Sequence, residues 1–203
     1  MSMTQHQFQF GQFVEAQGGH FGGDFLIDGK VISAFWAPKA LGETSAIWLP
    51  DNKPVTGASS YVDSVANTLA MAEAGSPLAI WATGLDINGK TDWVIPARDV
   101  LEPAYRHLKP SSYETYCTFR DGENANSIPA GTHYTEDEPI VQTTVEAFKK
   151  GGSEAFEEAV YWTSSEYSSR YAFVQYFDYG RQGSYAKFRQ FRARAVRMVQ
   201  LNP

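Results

Sequence analysis

From Ser168 to Arg197 the chain reads SSRYAFVQYFDYGRQGSYAKFRQFRARAVR, and this stretch limits the possible fold more than any other. Eight of the twenty-one residues from Tyr171 to Phe191 are Tyr or Phe, against 14% aromatic residues in the whole chain. Aromatic side chains suit strands, so a final β region is expected, beginning at AVYWTSS and running through to Val199. Burying so many Tyr and Arg would demand a hydrogen-bond partner for every polar tip. A surface that meets a partner escapes that demand. The stretch therefore divides in two. Ala172, Phe173, Phe177 and Gly180 are small, apolar or turn residues and read as framework. Arg170, Tyr171, Val174, Tyr176, Asp178, Tyr179, Arg181, Ser184, Tyr185, Phe188, Arg189 and Phe191 read as an interleaved binding face. Tyr and Arg combine large contact area with a polar tip and few rotatable bonds for their size, which is why they dominate binding hot spots.

The rest of the chain supplies a scaffold. Phe25–Ile27 and Val31–Trp36 are apolar runs separated by Asp28-Gly29, a strong hairpin signal. SSYVDSVANTLAMAEAGS places Val62, Val65, Ala66, Leu69 and Ala70 at helical spacing, with Ser59 or Ser60 as N-cap and Gly75 as stop. LAIWATGLDINGKTDWVIP reads as irregular strand and turn. PARDVLEPAYRHLKP predicts a helix burying Val100, Leu101, Tyr105 and Leu108, which starts late or kinks at Pro103. Residues 109–142 form a long loop, and long ordered loops are usually functional. TTVEAFKKGG predicts a short capped helix ending at Gly151. Residues 1–19, rich in Gln, Phe and Gly, form an arm or edge segment for docking to a neighbour, or a frayed terminus. The fold class is α+β, with two or three helices, short antiparallel strands and long ordered loops. Residues 20–203 make one domain, with the candidate binding region at 161–197, the part that the resemblance given below implies to be variable.

Composition excludes several function classes. No run of eighteen apolar residues is present, so no transmembrane helix or membrane insertion is expected. MSMTQHQFQFGQF has no basic region followed by an apolar stretch, and a reducing cytoplasm is the expected site of assembly. The single cysteine, Cys117, leaves no disulfide framework and no Cys-based zinc site, and it reads as a packing residue rather than a nucleophile. No phosphate-binding loop, HExxH or GxSxG occurs. His6, His20, His107 and His133 lack the close spacing of a metal pair. Asp121–Ser127 (DGENANS) gathers oxygen ligands that suit calcium, but a series of Asx turns is the favoured reading. No catalytic residue, metal or cofactor is expected, so the chain is not read as an enzyme. Residues 167–203 carry seven Lys/Arg and one acid, a net +6, whereas residues 1–166 carry −12. Nucleic-acid binding is disfavoured with so acidic a body. In RARAVR, Arg192, Arg194 and Val196 fall on one side of a strand and Ala193, Ala195 and Arg197 on the other. These arginines are expected to pair with acids of the body.

YWTSS at 161–165, Ala172-Phe173, Gln175, Phe177, Gly180, Gln182, Lys187 and the closing RARAVR resemble the variable C-terminal region of retroelement-diversified proteins. That family includes the tropism-determining receptor-binding proteins of bacteriophage tail fibres. APKALGE, ANTLAMAEAGSPLAIWATGL, DWVIPARDVLEPAYRHLKP and TTVEAFKKGGSEAF extend the resemblance over roughly residues 20–199. It implies a C-type-lectin-like fold of the formylglycine-generating-enzyme type, displaying its binding site on the final strands and loops. In these systems adenines of AAC or AAT codons are replaced at random. Such codons reach Tyr, Phe, Arg, Ser, Asp, Val, Ala and Gly, but never Trp, Gln, Lys, Glu or Met. Every interleaved position above falls in the reachable set, while Gln175, Gln182 and Lys187 fall outside it and match framework.

The resemblance implies a receptor-binding protein of a phage tail, assembled in the host cytoplasm and carried on the virion. Its partners would be a bacterial surface protein or glycan, other tail proteins through residues 1–19, and two further copies in a homotrimer. A cellular or secreted lectin-like display protein is the alternative. Enzymes of this fold use a reactive cysteine pair, which one cysteine cannot supply. The Glu-Pro-Asn, Gln-Pro-Asp and Trp-Asn-Asp signatures of calcium-dependent lectins are absent from the sequence, so neither activity carries over.

Overall fold

In the computed structural model, which describes residues 8–116, 120–135 and 139–201, the chain enters through β1 (Phe13–Val14), paired antiparallel with β2 (Gly19–Ile27). Ahead of β1, the Phe8 and Phe10 rings lie 5.7 and 5.6 Å from Phe21, and Phe10 stacks on His107 at 3.9 Å. Gly11 is buried, and a Cβ there would sit 3.1 Å from Leu108 and Val145. The domain thus begins no later than Phe8, and the described part of the expected arm is built into it. Residues 1–7 lie outside the described residues.

Asp28 and Gly29 take φ of 49° and 74°, the backbone that lets a two-residue turn follow the twist of its strands. They join β2 to β3 (Lys30–Trp36), with Ile27 opposite Lys30. A short helix α1 (Lys39–Gly42) leads to β4 (Glu43–Ile47). Helices α2 (Ser64–Glu73), α3 (Pro77–Thr83) and α4 (Arg98–Leu108) follow, then β5 (Ser127–Ile128). The C-terminal region is all β: β6 (Val160–Glu166), β7 (Tyr171–Tyr176), β8 (Gln182–Ala186), β9 (Gln190–Arg194) and β10 (Val196–Val199). One sheet runs β1-β2-β3-β10 with β5 also on β2, and the other runs β4-β9-β6-β7-β8. All pairings are antiparallel except β6 with β9. The molecule is therefore a mixed α+β protein with mostly antiparallel sheets.

Two cores hold it together. One packs α4 against Phe25, Trp36, Phe156, Tyr161 and Phe177. The other packs α2 and α3 against Trp48, Trp162, Ala172 and Val174. Each Trp, Phe or Tyr fully buried here removes enough apolar area to contribute about 1.5–3 kcal/mol.

Four expectations are corrected. First, α2 turns its polar side inward. Ser64, Asn67, Thr68 and Met71 are buried, while Val65 and Leu69 are 41% and 52% exposed. The polar groups face in because each meets a backbone group: Ser64 accepts from Ala97 N–H at 2.8 Å, and Thr68 accepts from Ile95 N–H at 3.0 Å. The N-cap is Asp63, whose carboxylate accepts from Ala66 N–H at 2.9 Å. Ser60 acts one step earlier, accepting from Asp63 N–H at 2.9 Å. Second, LAIWAT forms α3, started by Ser76 as N-cap and Pro77 in its first turn. Third, TTVEAFKKGG yields only a 3₁₀ turn over Glu146–Phe148. Fourth, RARAVR is not one strand: Ala195 separates β9 in one sheet from β10 in the other.

Helix α4 keeps Pro103 in its interior without a late start. Proline donates no N–H, so the carbonyl of Asp99 loses its helical partner. Asn124 replaces it, donating from Nδ2 to that carbonyl at 2.7 Å. The same amide donates to Glu102 Oε2 at 3.0 Å, and its oxygen accepts from Ser127 N–H at 3.0 Å and Asn126 N–H at 3.2 Å. The Asp121–Ser127 segment is thus an Asx turn locked onto α4.

Candidate functional site

The β7–β8 hairpin lies at one edge of its sheet, with β4 at the other. Register assigns the faces: Ala172 pairs with Tyr185 and Val174 with Gly183, while Tyr171 pairs with Ala186 and Phe173 with Ser184. Successive side chains alternate, so Ala172, Val174, Tyr176 and Tyr185 share one face. Gly183 has no side chain between Tyr176 and Tyr185; a Cβ there would lie 3.6 Å from the Tyr176 ring. The two phenols cross that space and their hydroxyls meet at 2.9 Å.

Around this pair the rings form a continuous ladder. Trp162 lies 5.0 Å from Phe191, Phe191 4.7 Å from Tyr185, Tyr185 6.2 Å from Tyr176, and Tyr176 5.0 Å from Tyr179. Tyr116 continues it at 6.5 Å from Tyr179, and Tyr116 N–H donates to the Tyr179 carbonyl at 2.7 Å. Tyr176, Tyr179, Tyr185 and Phe191 are each partly exposed, and Tyr116 is 63% exposed. Tilted ring pairs at these spacings contribute about 0.5–1.5 kcal/mol each beyond area burial, enough to hold the ladder in one arrangement. Burial and the bond to Tyr185 push the Tyr176 phenol well up, and burial raises Tyr179. The Tyr176 hydroxyl donates to Tyr185, which leaves the Tyr185 hydroxyl proton free to be donated from the ladder.

The remaining interleaved residues lie around the hairpin. Arg170 and Tyr171 enter β7, Phe188 and Arg189 form the β8–β9 turn, and Asp178 and Arg181 form the β7–β8 turn. Tyr171 and Phe188 are 43% and 50% exposed. Ser184 and Tyr171 sit on the face opposite the ladder. Val174 departs from the expectation: it is 2% exposed and packs in the second core, so it touches no partner. Phe173 departs in the other direction. It is partly exposed, with Tyr61 and Tyr167 set edge-on at 5.4 and 5.1 Å.

Arginines divide as the charge pattern requires. Arg192 meets Glu43 at 2.9 Å, Arg194 pairs with Glu154, and Arg197 pairs with Asp92. Arg194 is fully buried and also donates to the carbonyls of Ala37 and Glu154 at 2.8 and 2.7 Å. The guanidinium groups of Arg170, Arg181 and Arg189 make no ion pair or hydrogen bond among the described residues. All three belong to the interleaved set.

Beneath the hairpin, three polar framework residues tie it to the scaffold. Gln175 is 1% exposed and donates to the Gly180 carbonyl at 2.9 Å, fixing the β7–β8 turn. Lys187 is fully buried, bonded to Glu166 and to the Lys53 carbonyl, with Nζ 4.7 Å over the Trp48 ring. Gln182 accepts from Gly122 N–H at 3.0 Å, and its own N–H reaches Asp121 Oδ1 at 3.0 Å. Gly180 adopts φ 89°, and a Cβ there would lie 2.6 Å from the Tyr105 ring. Sequence reasoning missed Tyr116, Tyr61 and Tyr167. Tyr167 directly adjoins the stretch, whereas Tyr116 and Tyr61 come from distant segments with no local signal.

Among the described residues no three His, Cys, Asp or Glu gather to hold a metal ion, and no helix is long and apolar enough to cross a membrane. His6 and Cys117 lie outside the described residues. His20 is buried; its Nδ1–H donates to the Gly11 carbonyl at 3.0 Å. No family model, curated protein or solved structure matches the chain. The fold and site define an α+β scaffold that carries an aromatic ladder and, among the described residues, three unpaired arginines on an edge hairpin.

Proposed function

We propose that the chain is a non-enzymatic receptor-binding protein of a bacteriophage tail, attaching the virion to a bacterial surface through its C-terminal hairpin. The ladder is the observation that carries this reading. Residues scattered from Tyr176 to Phe191 meet as one partly exposed surface, while the interspersed Gln175 and Lys187 are buried and bonded. Rigid aromatic area with hydroxyl tips beside unspent guanidinium groups is the composition of binding hot spots.

The two sheets, the buried polar framework and the edge position of the hairpin accord with a C-type-lectin-like fold whose last strands display the ligand site. The same partition accords with retroelement diversification. The interleaved positions other than the buried Val174 are at least partly exposed, and Gln175 and Lys187, unreachable from AAC or AAT codons, are buried in the scaffold. An adenine-rich near-copy of codons 168–197 beside a reverse transcriptase gene is the expected genomic trace. Three copies on one tail would raise avidity well above a single weak contact.

Adsorption blocking tests the reading. Host bacteria incubated with the purified chain should lose adsorption of the virus whose genome carries this gene. Unimpeded adsorption at saturating chain contradicts it.

A further inference from the structure

On the face of the hairpin opposite the ladder, a cleft of about 800 Å³ opens between β7, the start of α4 and the Arg120–Asn126 loop. That volume is in the range that buries a small ligand. Phe173 forms its wall, with Tyr61 and Tyr167 set at 86° and 85° to it. Tyr61 and Tyr167 are 44% and 60% exposed, and neither phenol makes a hydrogen bond among the described residues.

The polar lining is incompletely paired. The Arg98 guanidinium lies 4.8 Å from the Tyr61 ring centre. Its polar contacts are long, 3.5 Å to Gln182 Oε1 and 3.9 Å to Asp99 Oδ1. Asp99 is 3% exposed; its Oδ2 accepts from Asn126 at 2.7 Å, and its Oδ1 accepts no hydrogen bond. Arg181 stands at the rim. Three arginines (Arg98, Arg120, Arg181) face three acids (Asp99, Asp121, Glu123) in the lining, so the cleft selects neither an anion nor a cation. Aromatic walls with unspent donors, phenols and a carboxylate match a ring that has apolar C–H faces and hydroxyls on its rim.

We propose that this cleft binds a neutral sugar ring of a surface glycan without calcium, with Tyr61 and Tyr167 on its faces and Arg98 and Arg181 donating to its hydroxyls. The proposal rests on the attachment reading only for the glycan's source, the bacterial surface.

Saturation-transfer NMR on the whole chain in EDTA tests it, with free hexoses, deoxyhexoses, N-acetylhexosamines and a hexuronate as probes. Transfer to the ring protons of at least one neutral sugar is expected. Tyr61→Ala with Tyr167→Ala should weaken that binding by about tenfold or more; both side chains are exposed, so the variant folds. Tyr176→Ala with Tyr185→Ala should leave it unchanged. No transfer to any probe, preference for the hexuronate, or transfer that survives the Tyr61/Tyr167 variant overturns the proposal. Adsorption blocking is read separately. If blocking holds and sugar binding fails, the cleft assignment falls alone. If sugar binds and blocking fails, the attachment reading falls alone.

Discussion

Replacing Asn124 by Ala should be among the most damaging single changes in this protein, although the residue lies in a loop. Asn124 is 1% exposed and its side chain makes four hydrogen bonds, to the Asp99 carbonyl, Glu102, Asn126 and Ser127. Removing it leaves a buried carbonyl that Pro103 cannot serve, a loss of about 1–3 kcal/mol. It also removes a bond to a fully buried carboxylate, about 1.5–3 kcal/mol more. Glu102 keeps Arg106 and Tyr134 as partners at 2.9 and 2.8 Å, so the total should be about 3–5 kcal/mol. Urea unfolding followed by tryptophan fluorescence measures it, provided the m-value is unchanged. A cycle with Pro103→Ala isolates the carbonyl. That substitution restores the missing helical N–H, so Asn124→Ala should cost about 1–2 kcal/mol less in the Pro103→Ala background. A loss under about 1 kcal/mol, or an equal loss in both backgrounds, would refute the assignment of Asn124 as the partner that Pro103 requires.

Three further outcomes are expected. Leu69→Gln should leave stability within about 0.5 kcal/mol because Leu69 faces solvent, whereas Thr68→Ala should cost about 1–3 kcal/mol by stranding the Ile95 N–H; urea midpoints compare the two. Gly180→Ala should cost about 2–4 kcal/mol, from its φ of 89° and the Tyr105 ring beside it, and a thermal scan that finds it neutral contradicts the turn geometry. Burial holds the His20 imidazole below its ordinary value, so the unfolded chain binds the proton first and stability falls as pH drops below about 6.5. Comparing wild type with His20→Gln at pH values of about 7.5 and 5.5 should show a smaller loss in the variant, and parallel losses exclude His20 as a source.

The parts of the fold written in short-range chemistry were readable in advance. Asp28-Gly29 specifies its hairpin through backbone preference alone, and the α4 pattern survives its proline. The face of α2 was not readable, because apolar periodicity assigns burial to Val65 and Leu69. Asn67 instead satisfies backbone groups of Ser60 just ahead of the helix, and Ser64 and Thr68 satisfy those of Ala97 and Ile95, partners that only the tertiary fold brings near. Helix α3 did have a signal, Ser76 followed by Pro77, outweighed by the β-like composition of LAIWAT. At the candidate site, the Tyr/Arg excess falls on the edge hairpin. Alternation could not assign Val174 and Phe173 their faces, since the register of β7 against β6 and β8 and the placement of α2, α3 and Tyr61 decide them.

Binding of the fluorescently labelled chain to intact host bacteria, titrated by flow cytometry, tests the central claim most directly. Tyr176→Ala, Tyr179→Ala and Tyr185→Ala together remove the middle of the ladder from partly exposed positions and leave Gln175 and Lys187 in place. With Leu69→Gln as a folded surface control, the account predicts affinity at least about tenfold below wild type for the triple variant and no change for the control. Wild-type affinity in a folded triple variant would contradict it and move the binding face away from the ladder.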